Sequence, residues 1–581
     1  MLMILALVAV MLATIAAPVS AVPVSDLTAM ARYLPSNTEL LMAARTDAGF
    51  IETIDALMAR IGRYVPGGVP SNLSQALEEL SSTFPGDGDT FAEVFGPWLG
   101  DTLAFGIISL DPLLDDKSDN DDDVQLIVAA DHRSREAVVT FFRQGMELEN
   151  DPSPGYQVVD EGAYTLFVPE RSANPTIYID DDVLLVTTMR SDVASFASLE
   201  QSLATNERFV QSLATLPQDD YNALIYVDLH AIYNSIYMTM RMSGSMPGME
   251  GMASEMVTAA FSALRDAYGG MAWGFTILDG RSLTMDISAN VDVAALSQAS
   301  PSVNMIYPPL NPDFVRFIEA GTPLVIHGSN LSDLIAGAIA SAGMQMEMLD
   351  SSVDADQLEA QITAGVQGIL GMPVDEAFAW MNGDYALVLN VSPALSDIRR
   401  ESDLFSLSVF PIDFGLIVDA SGDPEAAQRF VSGLTNSLSL FTRGMGDDVS
   451  ISTETIAGVD ATVVSLRAPD LPMPIQIVIG ASDEVFVFGT RDVAAAAFSG
   501  EGGLMNDPQY LEAVTYALPG ASSLAYAAGA GLQPLADLIN QFDPRNGEGF
   551  QAFVNLLSSS SVTTVTDNEG LYQVRMVITL P

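Results

Sequence analysis

The chain of 581 residues is long enough for two to four ordinary domains, and a hydrophobic content of 49% makes it a packed globular protein. A formal net charge of −52, with lysine only at Lys117, repels phosphate backbones and anionic membrane surfaces and argues against nucleic acid as a partner. The absence of cysteine removes disulfides, thiol nucleophiles, thiolate metal sites and lipid attachment at sulfur.

Residues 1–21 open with an apolar run from Leu2 to Ala17, then Pro18, then Val19-Ser20-Ala21, small residues of the kind a signal peptidase cuts after. They are read as a signal peptide, so the mature chain is expected outside the cytoplasm: secreted, periplasmic or at the cell surface. The run carries no Lys or Arg, and an uncleaved N-terminal membrane tether is the alternative.

Thr38 to Arg45 reads as a strand. FGPWLGDTLAFGI, Phe95 to Ile107, then sets a Trp, a Gly and an Asp before an apolar strand. Asp101 is read as a turn residue: Gly100 to supply φ > 0, Asp101 to bond the local backbone, Trp98 to fill the core. The acidic loop Asp111 to Asp123 follows. Its Asp116, Asp119, Asp121 and Asp123 are candidates for calcium, a cation that takes clustered oxygen ligands. The EF-hand glycine and terminal glutamate are missing, and a solvated hairpin tip is the competing reading.

Val124 to Phe142 reads as strand then helix, and Pro175 to Phe196 as strand, acidic turn, strand and helix start. The methionine-rich stretch Met238 to Met256 makes Met246, Met249 and Met252 candidates for Cu(I). Pliable apolar packing is the other use of such a stretch. A hairpin turning at Asp279-Gly280 closes this half.

The series then repeats. Thr322 to Ser329 matches Thr38 to Arg45, and FAWMNGDYALVLN, Phe378 to Asn390, matches the Trp-Gly-Asp stretch within a one-residue slip, with Trp380, Gly383 and Asp384. Phe414 to Val431 matches the strand and helix, with Asp423 as cap and Pro424 in the first helical position. Pro474 to Phe498 matches the strand pair, and a hairpin turning at Asn568 to Gly570 ends the chain. The fold class is therefore α+β: a tandem duplication of a mainly antiparallel sheet domain carrying helix pairs, at 27–298 and 302–581.

ARYLPSNTELLMAARTD (Ala31 to Asp47) after a signal peptide, the Trp-x-Gly-Asp turn and the strand followed by Arg-x-Asp-Val together resemble a bacterial exported family. It is known as domain of unknown function 3352. The resemblance implies an extracytoplasmic place and brings no catalytic residue.

His132, His230 and His327 are scattered, without His-Glu-x-x-His spacing, and are read as unpaired and unduplicated. No G-x-S-x-G elbow and no phosphate-binding G-x-x-x-x-G-K loop occurs. No cofactor and no catalytic residue is expected. The functional expectation is an exported, non-enzymatic binding or scaffold protein with a protein or apolar ligand as partner. One alternative is an extracytoplasmic carrier holding a lipid or other apolar ligand between sheet and helices. A third is a carboxylate-based hydrolase.

Overall fold

A computed structural model describes residues 21–63, 95–110, 124–148, 155–170, 174–189, 193–243, 254–278, 280–299, 306–349, 355–398, 411–442, 449–467, 475–567 and 570–581. The chain divides into two compact units, 1–299 with 569–573, and 300–568 with 574–581. Residues 1–20, the aspartates of the acidic loop, Met246, Met249 and Met252 lie outside the described residues.

Among the described residues the main sheet of the first unit has ten antiparallel strands: β1 (Leu40–Arg45), β2 (Leu99–Ile107), β3 (Leu126–His132), β4 (Tyr156–Asp160), β5 (Thr165–Pro169), β6 (Thr176–Ile179), β7 (Leu184–Thr187), β8 (Ala223–Val227), β9 (Tyr268–Ile277) and β10 (Ser282–Val291). Their order across the sheet is β4-β5-β6-β7-β3-β2-β1-β8-β9-β10, and every pairing is antiparallel. β9 and β10 alternate buried with half-buried residues, the period of a strand with one wetter face. β7 is buried at all four positions, which is why its sequence LLVT is a short apolar run rather than an alternation.

Helices clothe both faces: α1 (Ala48–Ile61), α2 (Arg135–Leu148), α3 (Glu207–Ala214) and the pair α4 (Leu229–Ser243) and α5 (Ser254–Ala267). Their starts follow local chemistry. Asp47 Oδ1 accepts the Phe50 N–H at 3.1 Å, and Asn206 Oδ1 accepts the N–H of Arg208 at 2.9 Å and of Phe209 at 3.3 Å. One face of the sheet buries Leu41, Ala43, Ala104, Ile127 and Leu185 beneath the 3₁₀ turn Ala29–Tyr33. The other buries Phe105, Val128, Val186 and Ile177 beneath Trp98, Val138 and their aromatic neighbours. Each large apolar side chain so enclosed contributes about 1.5–3 kcal/mol of transfer free energy before entropy is charged against it.

The second unit has β11 (Leu324–Ser329), β12 (Asp384–Val391), β13 (Ile412–Asp419), β14 (Val449–Ile456), β15 (Val459–Leu466), β16 (Ile475–Ala481), β17 (Val485–Gly489), β18 (Ser523–Ala528) and β19 (Ser559–Thr566). Their order is β14-β15-β16-β17-β13-β12-β11-β18-β19, again antiparallel throughout. A final strand, β20 (Leu571–Thr579), follows, and Ser558 N–H bonds to the Thr579 carbonyl at 2.8 Å. Its helices are α6 (Leu331–Leu349), α7 (Ala355–Leu370), α8 (Val374–Phe378), α9 (Pro424–Thr442), α10 (Arg491–Ser499), α11 (Pro508–Val514), and the pair α12 (Gly529–Phe542) and α13 (Pro544–Leu556).

Asp423 caps α9 as its sequence indicates, its Oδ1 accepting the Ala426 N–H at 2.9 Å, with Pro424 the first helical residue. The Arg-Asp helix start holds at α10. In the first unit the corresponding start at residues 190–192 lies outside the described residues, and Val193–Ser198 form a 3₁₀ helix. The fold is α+β with a large antiparallel sheet.

Candidate functional site

The two Trp-Gly-Asp stretches are core structure, but their glycines and aspartates work differently from the sequence reading. Trp98 and Trp380 are buried, Trp98 with its ring centre 5.0 Å from Phe141, Trp380 5.9 Å from Phe430 and 5.6 Å from Phe486. The indole N–H of Trp380 donates to the Ala377 carbonyl at 2.9 Å. Neither Gly100 nor Gly383 has positive φ. A Cβ on Gly100 would sit 2.3 Å from Asp131 Cγ, and one on Gly383 2.9 Å from Asp419 Oδ2, so glycine is needed for a carboxylate's close approach from the next strand.

Asp101 does not bond its own turn. Its side chain is exposed and meets Arg133 at 3.3 Å, an ion pair in water that contributes little. The N–H groups of Asp101 and Thr102 donate instead to the Asp131 carboxylate, at 3.0 and 2.7 Å. Register explains the exposure: β2 is irregular between Leu99 and Leu103, and Thr102 lies opposite Arg45. In the second unit Asp384 itself lies opposite Ser329 and points inward.

That inward turn corrects the reading of the histidines. His327 is paired: its Nε2 is 2.8 Å from Asp384 Oδ2, both residues are buried, and the imidazole stacks on Phe314 at 5.2 Å. The same carboxylate oxygen accepts the Asn311 N–H at 2.7 Å. The other two histidines bond carbonyls, His132 Nε2 to Asp180 and His230 Nδ1 to Arg265, each at 2.9 Å. Among the described residues no group of three His, Asp or Glu could hold a metal ion, and no helix is long and apolar enough to cross a membrane.

Two carboxyls of the second unit are shifted upward by burial. Burial pushes Glu319 up; a bond from Asn390 opposes this, and the charges of Asp492 and Asp413 add to it. Burial likewise raises Asp413, against a bond to Thr490 and with the charge of Asp492. In the first unit a shallow groove of about 430 Å³ lies between Pro97-Trp98 and the Ala137, Thr140, Phe141 and Gln144 stripe of α2.

The feature best suited to a ligand is on the second sheet. Cross-strand register places Ala525, Ile326, Leu387, Leu416, Phe488 and Ile479 in one row on one face, running over β18, β11, β12, β13, β17 and β16. This face is the one that carries Val418, Phe486, Val464 and Trp380 into the core under α9. Yet along the row Ile326 is 44% exposed, Leu387 45% and Phe488 37%, with Leu416 half-buried between them. The rows on either side are less exposed: Leu324, Leu389 and Phe414 are half-buried, and Gly328, Val418 and Phe486 buried. The strip is thus one side chain wide. In the first sheet the row Met42, Phe105, Val128, Val186, Ile177 has the same register, and its last four residues are 3–7% exposed. Nothing in the alternation of β11, β12 or β17 signals the difference, because a row roofed by protein and a row left open have the same apolar letters.

A chain of two α+β units, each an antiparallel sheet clad in helices, is the class these observations define. Within it, the chain belongs to the family described as protein of unknown function (DUF3352), which matches residues 1–432. No curated protein and no solved structure matches it.

Proposed function

We propose that the protein is an exported, non-enzymatic binding protein, built by tandem duplication of one unit, whose second copy holds an apolar ligand against its sheet. The duplication is supported strand by strand: β1 to β9 and β11 to β19 have the same order and the same antiparallel pairings. It assigns 27–298 and 302–581 to the two copies. Export is supported by the apolar run and small-residue motif of residues 1–21.

The observation that carries the binding reading is the open row Ile326, Leu387, Phe488, set beside the covered row of the first copy. A contiguous apolar strip left in water costs about 25 cal/mol for each Å² that a ligand would cover. The alternative partner for such a strip is another protein, as in a scaffold.

Binding of a neutral naphthylamine dye tests the reading. Leu387→Gln and Phe488→Gln should weaken it, while Val210→Gln, at an exposed apolar position of the first unit, should not. Equal binding by all three variants would place the apolar site elsewhere.

A further inference from the structure

We infer that Asn382 is a site of spontaneous covalent modification: the Gly383 nitrogen attacks its side-chain amide, and the residue converts to aspartate and isoaspartate. The dipeptide Asn-Gly occurs at Asn382-Gly383 and at Asn546-Gly547. Glycine favours this reaction because it has no Cβ to hinder its nitrogen from reaching the preceding side chain. The structure treats the two dipeptides differently. Asn382 is exposed, in the turn between α8 and β12, and its side chain makes no hydrogen bond among the described residues. The Gly383 N–H has no acceptor among them either. The carbonyls on the two sides of Asn382 are engaged: Met381 O accepts the Ser332 N–H at 3.1 Å, and Gly383 O accepts the Asn330 N–H at 2.9 Å.

Asn546 lies inside α13, where the Gly547 N–H donates to the Asp543 carbonyl at 2.8 Å. A Cβ on Gly547 would come 2.3 Å from Asn540 Cα, so the backbone of α12 packs closely against it. That nitrogen must leave its helical bond and its packing before it can turn on the neighbouring side chain. The same dipeptide is therefore poised at Asn382 and protected at Asn546.

The chemistry needs only water and hydroxide. Hydroxide takes the Gly383 amide proton as the nitrogen bonds to Asn382 Cγ. The bond from Cγ to Nδ2 then breaks, and the side-chain nitrogen leaves as ammonia, regaining a proton from solvent. Water opens the resulting succinimide. Attack at Cγ leaves an ordinary aspartate at position 382, and attack at the main-chain carbonyl leaves isoaspartate, with Cβ and Cγ now in the main chain. The extra main-chain atom falls between Met381 and Gly383, whose carbonyls hold the start of α6, and just before Asp384, which pairs with His327. The isoaspartyl form should therefore unfold at lower denaturant than the parent.

The test holds the folded full chain in mildly alkaline buffer and follows both asparagines in time by peptide mapping and isoaspartyl methylation. Asn382 should lose its amide several-fold faster than Asn546, with isoaspartate appearing at position 382. In concentrated urea the two rates should converge, because the helix no longer protects Asn546. Ageing should lower the unfolding midpoint of the parent and spare Asn382→Gln. Loss of the Asn382 amide in urea alone would show that the native turn protects it, and would overturn the proposal. Faster loss at Asn546 than at Asn382 in the folded chain would overturn it too. An equal fall in midpoint for aged parent and aged Asn382→Gln would overturn the effect assigned to the isoaspartyl form.

Discussion

His327 and Asp384 join neighbouring strands of the second unit through a 2.8 Å contact between Nε2 and Oδ2, sealed from water under Phe314. The pair also takes the Asn311 N–H, so it ties β11 and β12 to the start of the 3₁₀ turn Pro312–Phe317. Its removal would leave a buried carboxylate short of a partner. His327→Ala should therefore destabilise the second unit by about 1–3 kcal/mol, the usual result of leaving a buried polar group short of its hydrogen-bond partner. Thermal or denaturant unfolding reads it, and a loss below about 1 kcal/mol would show that Asn311 alone satisfies Asp384.

The tryptophans report on the two cores separately. Trp98→Ala and Trp380→Ala should each cost about 3–5 kcal/mol, since both indoles are buried among aromatic rings. Calorimetry should show two transitions, each mutation lowering one and sparing the other. A single transition moved equally by both would mean that the units unfold together.

Glycine at the turns makes a ranked prediction. Alanine at Gly100 meets Asp131 Cγ at 2.3 Å, while alanine at Gly383 meets Asp419 Oδ2 at 2.9 Å. Both substitutions should destabilise, by about 1–3 kcal/mol, with Gly100→Ala the worse. Reversal of that order would show that Asp131 moves aside more easily than Asp419.

Acid should favour the second unit through two carboxyls. Glu319 and Asp413 titrate above their ordinary values of 4.5 and 3.8 in the folded chain, so the folded form binds their protons more tightly than the unfolded form does. Their contribution is fully present below those ordinary values and is lost as pH rises through the raised ones. Relief of overall charge repulsion has the same sign, so the difference between variants is what counts. Glu319→Gln should be stabilised relative to the parent at neutral pH and lose that advantage near pH 4; an advantage that does not change with pH would remove the titration from the account.

The strand pattern was legible because burial on one or both faces writes a period of two, or a short apolar run, directly into residues such as those of β3, β7 and β9. Caps at Asp423 and Pro424 were legible for the same local reason. The role of Gly100 was not, because the carboxylate it makes room for, Asp131, is distant in sequence and meets it only through strand register. His327 and Asp384 were missed as a pair for that reason too: their closeness follows from the pairing of β11 with β12. The open strip was hidden in another way. Ile326, Leu387 and Phe488 look like core letters, and only the helices' placement decides whether a core position receives a roof.

Mass spectrometry of the purified protein tests most directly whether this strip holds an apolar ligand. Wild-type protein should carry an apolar ligand that Leu387→Gln protein, equally folded, has lost. Wild-type and variant proteins with the same lipid content, whether loaded or empty, would contradict the claim.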